Sequence, residues 1–315
     1  MPTYANILAS MLPVFGVILL GALLRRTGAL SEESDRSILR VVLNVFTPCL
    51  IFSGILGNAA ATSGPLLWLA PLCGVAAIAI SIGVIWLAAP LFGLPDAPRR
   101  KVFAFTCGLY NYAYIAIPLA MNLFDRTTVG VLFLVNVGVE IGLWTFGPLM
   151  LSGGPPAGAW RKAFNAPFFA IVAGVGVTLG GLAPHTPEAL LAGIRMLGAC
   201  AVPLALLMIG AVTLDFLEPR TVLQGAGTTA GAVVMRLGVL PPLLIGLALL
   251  LPGPPELRRV LILHAAMPAA AFPIILVRKY AGDVPTALRV YLSTSVASLV
   301  LSPFWISRGL EWMGR

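Results

Sequence analysis

Long apolar stretches separated by short polar or glycine- and proline-rich turns run through the whole chain. Each stretch is close to or above the roughly 20 residues that cross the hydrocarbon core of a bilayer as a helix. We number them as spans 1 to 10, and they cover residues 5–26, 36–56, 65–92, 101–123, 127–151, 165–183, 187–211, 220–251, 258–279 and 285–309. This pattern predicts an all-α polytopic membrane protein with ten transmembrane helices.

Spans 4 and 9 are interrupted in the same way. Residues 109–118 of span 4 end on Pro118, and residues 266–273 of span 9 include Pro268 and Pro273. Proline inside a helix removes a backbone donor and clashes with the preceding turn. An unpaired backbone group is costly in lipid, so such breaks persist only inside protein or beside a water-filled cavity. Corresponding broken helices in two halves are the sequence pattern that best indicates a transporter's binding site.

The two halves of the chain repeat the same order of features. Five spans precede residue 155 and five follow it, so the second half enters the membrane from the opposite side. Pro48 in span 2 corresponds to Pro203 in span 7, as the broken span 4 corresponds to span 9. We therefore predict two inverted five-helix repeats, residues 1–152 and 158–315, with spans 4 and 9 as broken crossover helices.

Composition and charge exclude other classes of protein. Hydrophobic residues make up 59% of the chain, charged residues 10%, and the mean hydropathy is +0.97, which a water-soluble domain could not cover with polar groups. If the N-terminus lies outside, thirteen lysines and arginines fall in cytoplasmic loops and five in outside segments. This bias predicts that both termini are outside. The formal charge of +8 therefore reports topology, and no nucleic-acid partner is expected.

The first span could also be mistaken for a signal peptide. Its apolar run is longer than that of a signal peptide, and Arg25 and Arg26 follow it in place of a small-residue cleavage site. We expect a retained first helix. The four cysteines all lie inside spans without metal-ligand spacing, so we expect small buried hydrophobic residues and no disulfide.

Several segments resemble the auxin efflux carrier family, which includes plant PIN proteins and many bacterial organic-acid carriers. Residues 266–280, continuing through Pro285 and residues 293–295 to Pro303, resemble its ninth and tenth helices. Asn111 with residues 117–119 resembles the fourth-helix crossover, and residues 44–52 resemble the second helix. The likeness covers nearly the whole chain, although the long cytoplasmic loop of many plant members is absent.

The resemblance implies a secondary transporter of a small organic anion in the bacterial inner membrane. Members of the family carry auxin, malonate or malate, and the substrate here stays open. The resemblance also implies an elevator-like movement, in which spans 1, 2, 6 and 7 form a scaffold and spans 3–5 and 8–10 form the moving domain. A homodimer through the scaffold helices is expected on the same ground.

The chemistry of the two breaks agrees with an anionic ligand. Half-helix N-termini present unpaired N–H groups and partial positive charge, which suit a carboxylate. We predict substrate contacts from residues at the breaks and on the neighbouring span 5, namely Asn111, Tyr112, Tyr114, Pro118, Asn136, Met267, Pro268 and Pro273. Asn111 could instead only cap a broken helix end, and Tyr112 and Tyr114 could serve packing or a supporting hydrogen bond.

Three ionisable residues within the spans are candidates for ion coupling. Glu140 shares one face of span 5 with Asn136 and Trp144, and a carboxylate at membrane depth is a functional hypothesis by default. It could couple transport to protons, or it could form a structural ion pair with Arg236 or Arg195. Arg236 could attract an anion or satisfy carbonyls of a broken helix. His264, one turn before Pro268, could titrate near neutrality or simply pack.

Enzymatic function is not expected. The chain has no phosphate-binding loop of the Gly-x-x-x-x-Gly-Lys-Ser/Thr type, and neither His185 nor His264 belongs to a nucleophile, base or metal constellation. We therefore expect no cofactor and no metal. The main rival to a transporter is an anion channel or a receptor-like membrane sensor on the same fold.

Overall fold

The computed structural model describes residues 2–94, 96–152, 161, 162, 164–215 and 225–314, and every extended regular element in these ranges is a helix. Helices suit a bilayer because they satisfy their own backbone groups. The helices of the first half are α1 (Tyr4–Arg26), α2 (Glu32–Ile55), α3 (Gly64–Phe92), α4 (Ala97–Gly108), α5 (Ala116–Leu123) and α6 (Arg126–Ser152). Those described in the second half are α7 (Ala166–Leu179), α8 (Glu188–Asp215), α9 (Ala226–Leu250), α10 (Pro255–Ala265), α11 (Phe272–Lys279) and α12 (Val284–Met313).

Helix length and composition agree with a multi-pass membrane protein. Within the described ranges, seven helices are long and apolar enough to cross a membrane: α1, α2, α3, α6, α8, α9 and α12. Helix α7 is apolar but shorter. The start of predicted span 8, the connection between the two halves and the N-terminal residue lie outside the described residues.

Spans 4 and 9 are each divided into two helices. Helix α4 ends at Gly108 before α5, and α10 ends at Ala265 before α11. Pro268 lies in the second break, but Pro118 and Pro273 lie in the first turn of α5 and α11. The first N–H groups of a helix have no intrahelical acceptor, so proline is tolerated there. Pro118 and Pro273 therefore lie at the start of α5 and α11. This corrects the expectation that they interrupt the helices of spans 4 and 9.

The prolines of spans 2 and 7 disturb their helices without breaking the spans. In α2, a π-helical turn over Val42–Phe46 comes just before Pro48. Helix α8 is divided at Cys200, just before Pro203. Proline cannot donate to the carbonyl four residues earlier, so the helix adjusts one turn before each proline. Cys200 is exposed, contrary to the expected burial, and all four cysteines are free.

The helices pack in two groups. In the first helix group, α1 packs on α8, and α2 packs on α7 and α8. In the second helix group, α3 packs on α4 and α6, α9 on α10 and α12, α10 on α6, and α12 on α4. The groups touch each other where α1 meets α5 and α12, where α2 meets α6, and where α6 meets α7.

Helices α3 and α6 approach so closely that their backbones touch. A methyl group added at Gly74 would meet the carbonyl oxygen of Val135, and one added at Gly138 would meet that of Pro71. Without a hydrophobic driving force between helices in lipid, such close packing of small residues is a main source of association. The two glycines therefore set the distance between α3 and α6.

We expect Gly74→Ala to lower the thermal unfolding temperature of the purified protein. The added methyl group forces α3 and α6 apart, and overpacking of this kind costs about 1–3 kcal/mol. Gly83→Ala is the matched control on α3, because nothing lies within 4 Å of a methyl group added there. Alanine is about 1 kcal/mol better than glycine in a helix, so the control should be neutral or stabilising. Equal unfolding temperatures for the two variants would contradict this account.

Candidate functional site

A cavity of about 420 Å³ lies between the two helix groups. Its wall on one side comes from α2, α7 and α8, and on the other from the two breaks, α6 and α11. Most of the lining is apolar or aromatic, including Phe133, Phe168 and Phe272. Among the described lining residues, Glu140 and Lys162 are the only charged side chains. Such a pocket, apolar with a few placed polar groups, has the composition of a small-molecule site.

The two breaks meet at this cavity and pair their backbones. The Asn111 N–H donates to the Pro268 carbonyl at 2.8 Å, and the Ala270 N–H donates to the Leu109 carbonyl at 2.9 Å. Between these bonds, Tyr110 and Ala269 form an isolated antiparallel bridge. Each break therefore satisfies backbone groups of the other, which removes part of the penalty of leaving a helix at membrane depth.

The oxygen and the nitrogen of the Asn111 side-chain amide have different surroundings. Its Oδ1 accepts from the Ile115 N–H at 3.1 Å, so it caps the start of α5. Its Nδ2 group has no protein acceptor among the described residues, although the side chain is only 4% exposed and lines the cavity. The capping role and a ligand role are thus compatible, since they use different atoms of one amide.

Glu140 is held by three donors on the cavity wall. Its Oε1 accepts from the Tyr112 hydroxyl at 2.5 Å. Its Oε2 accepts from the Trp144 indole N–H at 3.1 Å and lies 3.5 Å from the Nδ2 of Asn165, the residue just before α7. The Glu140 carboxylate therefore connects α6 with the first break through Tyr112. Across the cavity, it also contacts the first helix group through Asn165.

The ion pair of Glu140 with an arginine, one of the two alternatives that the sequence left open, does not occur among the described residues. Arg195 pairs with Glu188 on an exposed part of α8. The Arg236 guanidinium donates to the carbonyls of His264, Ala265 and Met267 at 2.8–3.0 Å. Arg236 thus takes the second of its two predicted roles, because it satisfies the carbonyls at the end of a broken helix.

Asn136 and Tyr114 also line the cavity. The Asn136 Nδ2 donates to the Tyr112 carbonyl at 3.1 Å and so supports the first break from α6. Its buried Oδ1 has no partner among the described residues. The two predicted tyrosines therefore differ in their contacts. Tyr112 is hydrogen-bonded to Glu140 and Asn136, whereas Tyr114 contributes to the cavity wall.

Four predicted ligand residues do not reach the described cavity wall: Pro118, Met267, Pro268 and Pro273. Met267 is fully buried, and its carbonyl and that of Pro268 are taken up by Arg236 and Asn111. The wall of the second break comes instead from residues that follow the backbone pairing, namely Ala270, Ala271, Phe272, Ile274 and Ile275. The sequence located the break but could not indicate which of its residues face the cavity.

His264 does not line the cavity either. Its ring is fully buried, lies 5.0 Å from the Tyr110 ring between centroids, and has both nitrogens without hydrogen-bond partners among the described residues. This is the packed arrangement that the sequence left open.

Lys162 and Asn165 were not predicted and belong to the wall. Asn165 caps α7 by accepting from the Phe168 N–H at 3.0 Å, and an asparagine before Ala-Pro is a recognisable helix start. Lys162 has its Nζ 5.3 Å from the centre of a Trp144 ring. The nearby Lys279 ammonium lowers the pKa of Lys162, so like charges gather at this part of the cavity.

The wall can therefore hold a small, partly apolar molecule with an anionic or hydrogen-bond-accepting end. Donors come from the Asn111 amide and the Tyr114 hydroxyl, and positive charge comes from Lys162. First-turn residues of α5 and α11, namely Ile117, Phe272 and Ile274, also line the cavity, and helix N-termini carry partial positive charge.

Comparisons with known proteins indicate a membrane transporter. The model of a family described as membrane transport protein matches residues 6–158 and 157–306, which together are nearly the whole chain. A protein of Methanothermobacter thermautotrophicus (strain Delta H), described as an uncharacterized transporter, is 26% identical over 299 residues. That match covers 94% of this chain and 96% of the relative.

Proposed function

The chain belongs to the membrane transport protein family, as its resemblance to the auxin efflux carriers implied, and we propose that it is a secondary transporter of a small organic anion. A carboxylate, auxin-like or of the malonate and malate type, is the proposed substrate class. The family and the transporter relative favour this over an enzyme. The observation that carries the proposal is the pair of mutually hydrogen-bonded breaks that open on one cavity.

The proposed architecture is the ten-span inverted repeat, with residues 1–152 and 158–315 as its two halves. Spans 4 and 9 would be the crossover helices, made of α4 with α5 and of α10 with α11. The mutual pairing of Asn111 with Pro268 and of Ala270 with Leu109 supports this assignment, because it relates the two breaks reciprocally.

The proposed mechanism is an elevator-type movement. The first helix group would be the scaffold, and the second would carry the substrate across. In support of this division, the cavity lies between the groups, and few elements join them. A ligand held by Asn111 and Tyr114 would travel with the second group, while the wall formed by α2, α7 and α8 would stay behind.

Proton coupling through Glu140 is the proposed source of energy. The carboxylate lacks an arginine partner among the described residues, and it touches the first break through Tyr112 and α7 through Asn165. A change in its protonation would alter both contacts, since a protonated carboxyl group accepts fewer hydrogen bonds and can donate one. Glu140 would thereby link proton binding to the position of the moving group.

Further elements of the proposal rest on the sequence and the resemblance alone. Both termini are proposed to lie on the outer side of the plasma membrane, because lysine and arginine are more frequent in the loops assigned to the cytoplasm. The homodimer through scaffold helices is carried over from the resemblance. The rival function, an anion channel or a sensor, would use the same cavity without alternating access.

Transport is tested with purified protein in proteoliposomes. We expect saturable uptake of at least one radiolabelled mono- or dicarboxylate, with counterflow against the same unlabelled compound, because a carrier binds its substrate on alternating sides. A thermal-shift screen of carboxylates selects the compounds. Large electrical conductance without saturation would indicate a channel, and stabilisation by ligands without uptake would indicate a sensor. Stabilisation by cations alone would exclude an anionic substrate.

Asn111→Asp separates capping from ligand binding. Aspartate keeps the oxygen that accepts from Ile115, so the fold should be unchanged, but it replaces the free amide donor with negative charge. Loss of one hydrogen bond to a charged group is worth about 1.5–3 kcal/mol, so carboxylate binding should weaken by at least about tenfold. Asn111→Ala, which removes the cap as well, should also lower the unfolding temperature. Undiminished affinity in Asn111→Asp would remove Asn111 from the binding site.

Glu140→Gln tests proton coupling. Glutamine keeps the shape and one carbonyl acceptor for the Tyr112 hydroxyl, so the protein should fold and bind substrate. Because glutamine does not titrate, uptake driven by an imposed proton gradient should be lost while counterflow, which needs no net proton movement, is retained. Uptake and proton dependence equal to those of the wild type would exclude Glu140 from coupling. Trp144→Phe serves as control, since it removes one donor to Glu140 and leaves its charge.

A further inference from the structure

Arg236 is the charged residue that lies deepest among the described helices. It belongs to a π-helical turn of α9, Val234–Val239, and its side chain is 0% exposed. It does not line the cavity, and it forms no salt bridge in the described part of the chain. A buried charge must be compensated, so the groups that surround it carry information about its role.

Those groups are the carbonyls at the end of α10. The guanidinium Nε donates to Met267 at 2.8 Å, and Nη2 donates to His264 and Ala265 at 3.0 Å each. The last carbonyls of a helix lack intrahelical donors and carry partial negative charge. The cation therefore lies against the negative end of α10 and pairs the Ala265 and Met267 carbonyls at membrane depth, whereas the His264 carbonyl also accepts from the Met267 N–H.

The same guanidinium also reaches the other break. Its central carbon lies 5.2 Å from the centre of the Tyr110 ring, within the range of a cation–π contact. Met267, whose carbonyl it holds, directly precedes Pro268, whose carbonyl accepts from Asn111. A short chain of contacts thus runs from Arg236 through the second break to the backbone of Asn111.

We propose that Arg236 is a positioning residue that fixes the α10 end and, through Pro268, holds Asn111 in place for the ligand. That ligand role rests on the function proposed above, but the backbone link does not. Other contacts on this segment are made by neutral groups, since Ser302 donates to the Ala266 carbonyl and Thr294 accepts from the Ala269 N–H. On this segment, Arg236 bridges three carbonyls, because its planar fork presents donors in fixed directions.

Hydrogen–deuterium exchange of the full-length protein in nanodiscs tests the link without any ligand. In Arg236→Lys, the point charge remains but the fork is lost, so peptides covering residues 109–116 should exchange about tenfold faster or more, as expected for weakening one charge-assisted contact. Arg236→Gln should show a larger increase. Arg258→Lys is the matched control, because Arg258 also donates to a backbone carbonyl, that of Leu251, away from both breaks.

Substrate affinity of the same variants separates positioning from direct binding. We expect Arg236→Lys to weaken binding of the transported carboxylate together with the faster exchange at residues 109–116, and Arg258→Lys to change neither. Weaker binding with unchanged exchange would make Arg236 a ligand contact and overturn the proposal, as would wild-type exchange and affinity in Arg236→Lys. If Arg236→Gln does not fold, the lysine variant decides. If no carboxylate binds the wild type, the proposed substrate class fails while the exchange result still decides the role of Arg236.

Discussion

Every backbone polar group at membrane depth needs a partner, and this constraint determines how the centre of the molecule is built. Two helices stop within the membrane-spanning region, and each exposes N–H and carbonyl groups there. Asn111 and Ala270 donate to Pro268 and Leu109 across the two breaks, so each break supplies what the other lacks. Side chains pair further groups: the Asn111 amide oxygen accepts from the Ile115 N–H, the Thr294 hydroxyl accepts from the Ala269 N–H, and the Ser302 hydroxyl donates to the Ala266 carbonyl.

The two charges at this centre, Arg236 and Glu140, have different surroundings. Arg236 lies against the carbonyl end of α10 and is fully enclosed, which is the position of a structural cation. Glu140 is on the cavity wall, where hydroxyl, indole and amide donors hold it without an arginine. Arg236 is thus fixed by backbone carbonyls, whereas Glu140 is held by side chains that themselves line the cavity.

The cavity lies between the two helix groups, so each group supplies one side of its wall. Its donors, Asn111 and Tyr114, belong to the second group, and most of its apolar wall on the other side belongs to α2, α7 and α8. Asn165 reaches Glu140 across this boundary. A molecule bound there touches both groups at once, so relative movement of the groups would change the surroundings of the ligand and of Glu140 together.

The sequence by itself determined the features that depend on local chemistry. Apolar spans of membrane length, the breaks near Asn111 and Pro268, and the depth of Glu140 follow from hydrophobicity and from residue types that helices do not favour. The family resemblance, confirmed by a match over nearly the whole chain, follows from the same residues. Only the tertiary structure decided which atoms meet: that Arg236 holds carbonyls and not Glu140, that Ala271 and Phe272 form the wall in place of Met267 and Pro268, and that Lys162 and Asn165 join it. These choices depend on how helices distant in the chain rotate and approach each other, and no local pattern encodes that geometry.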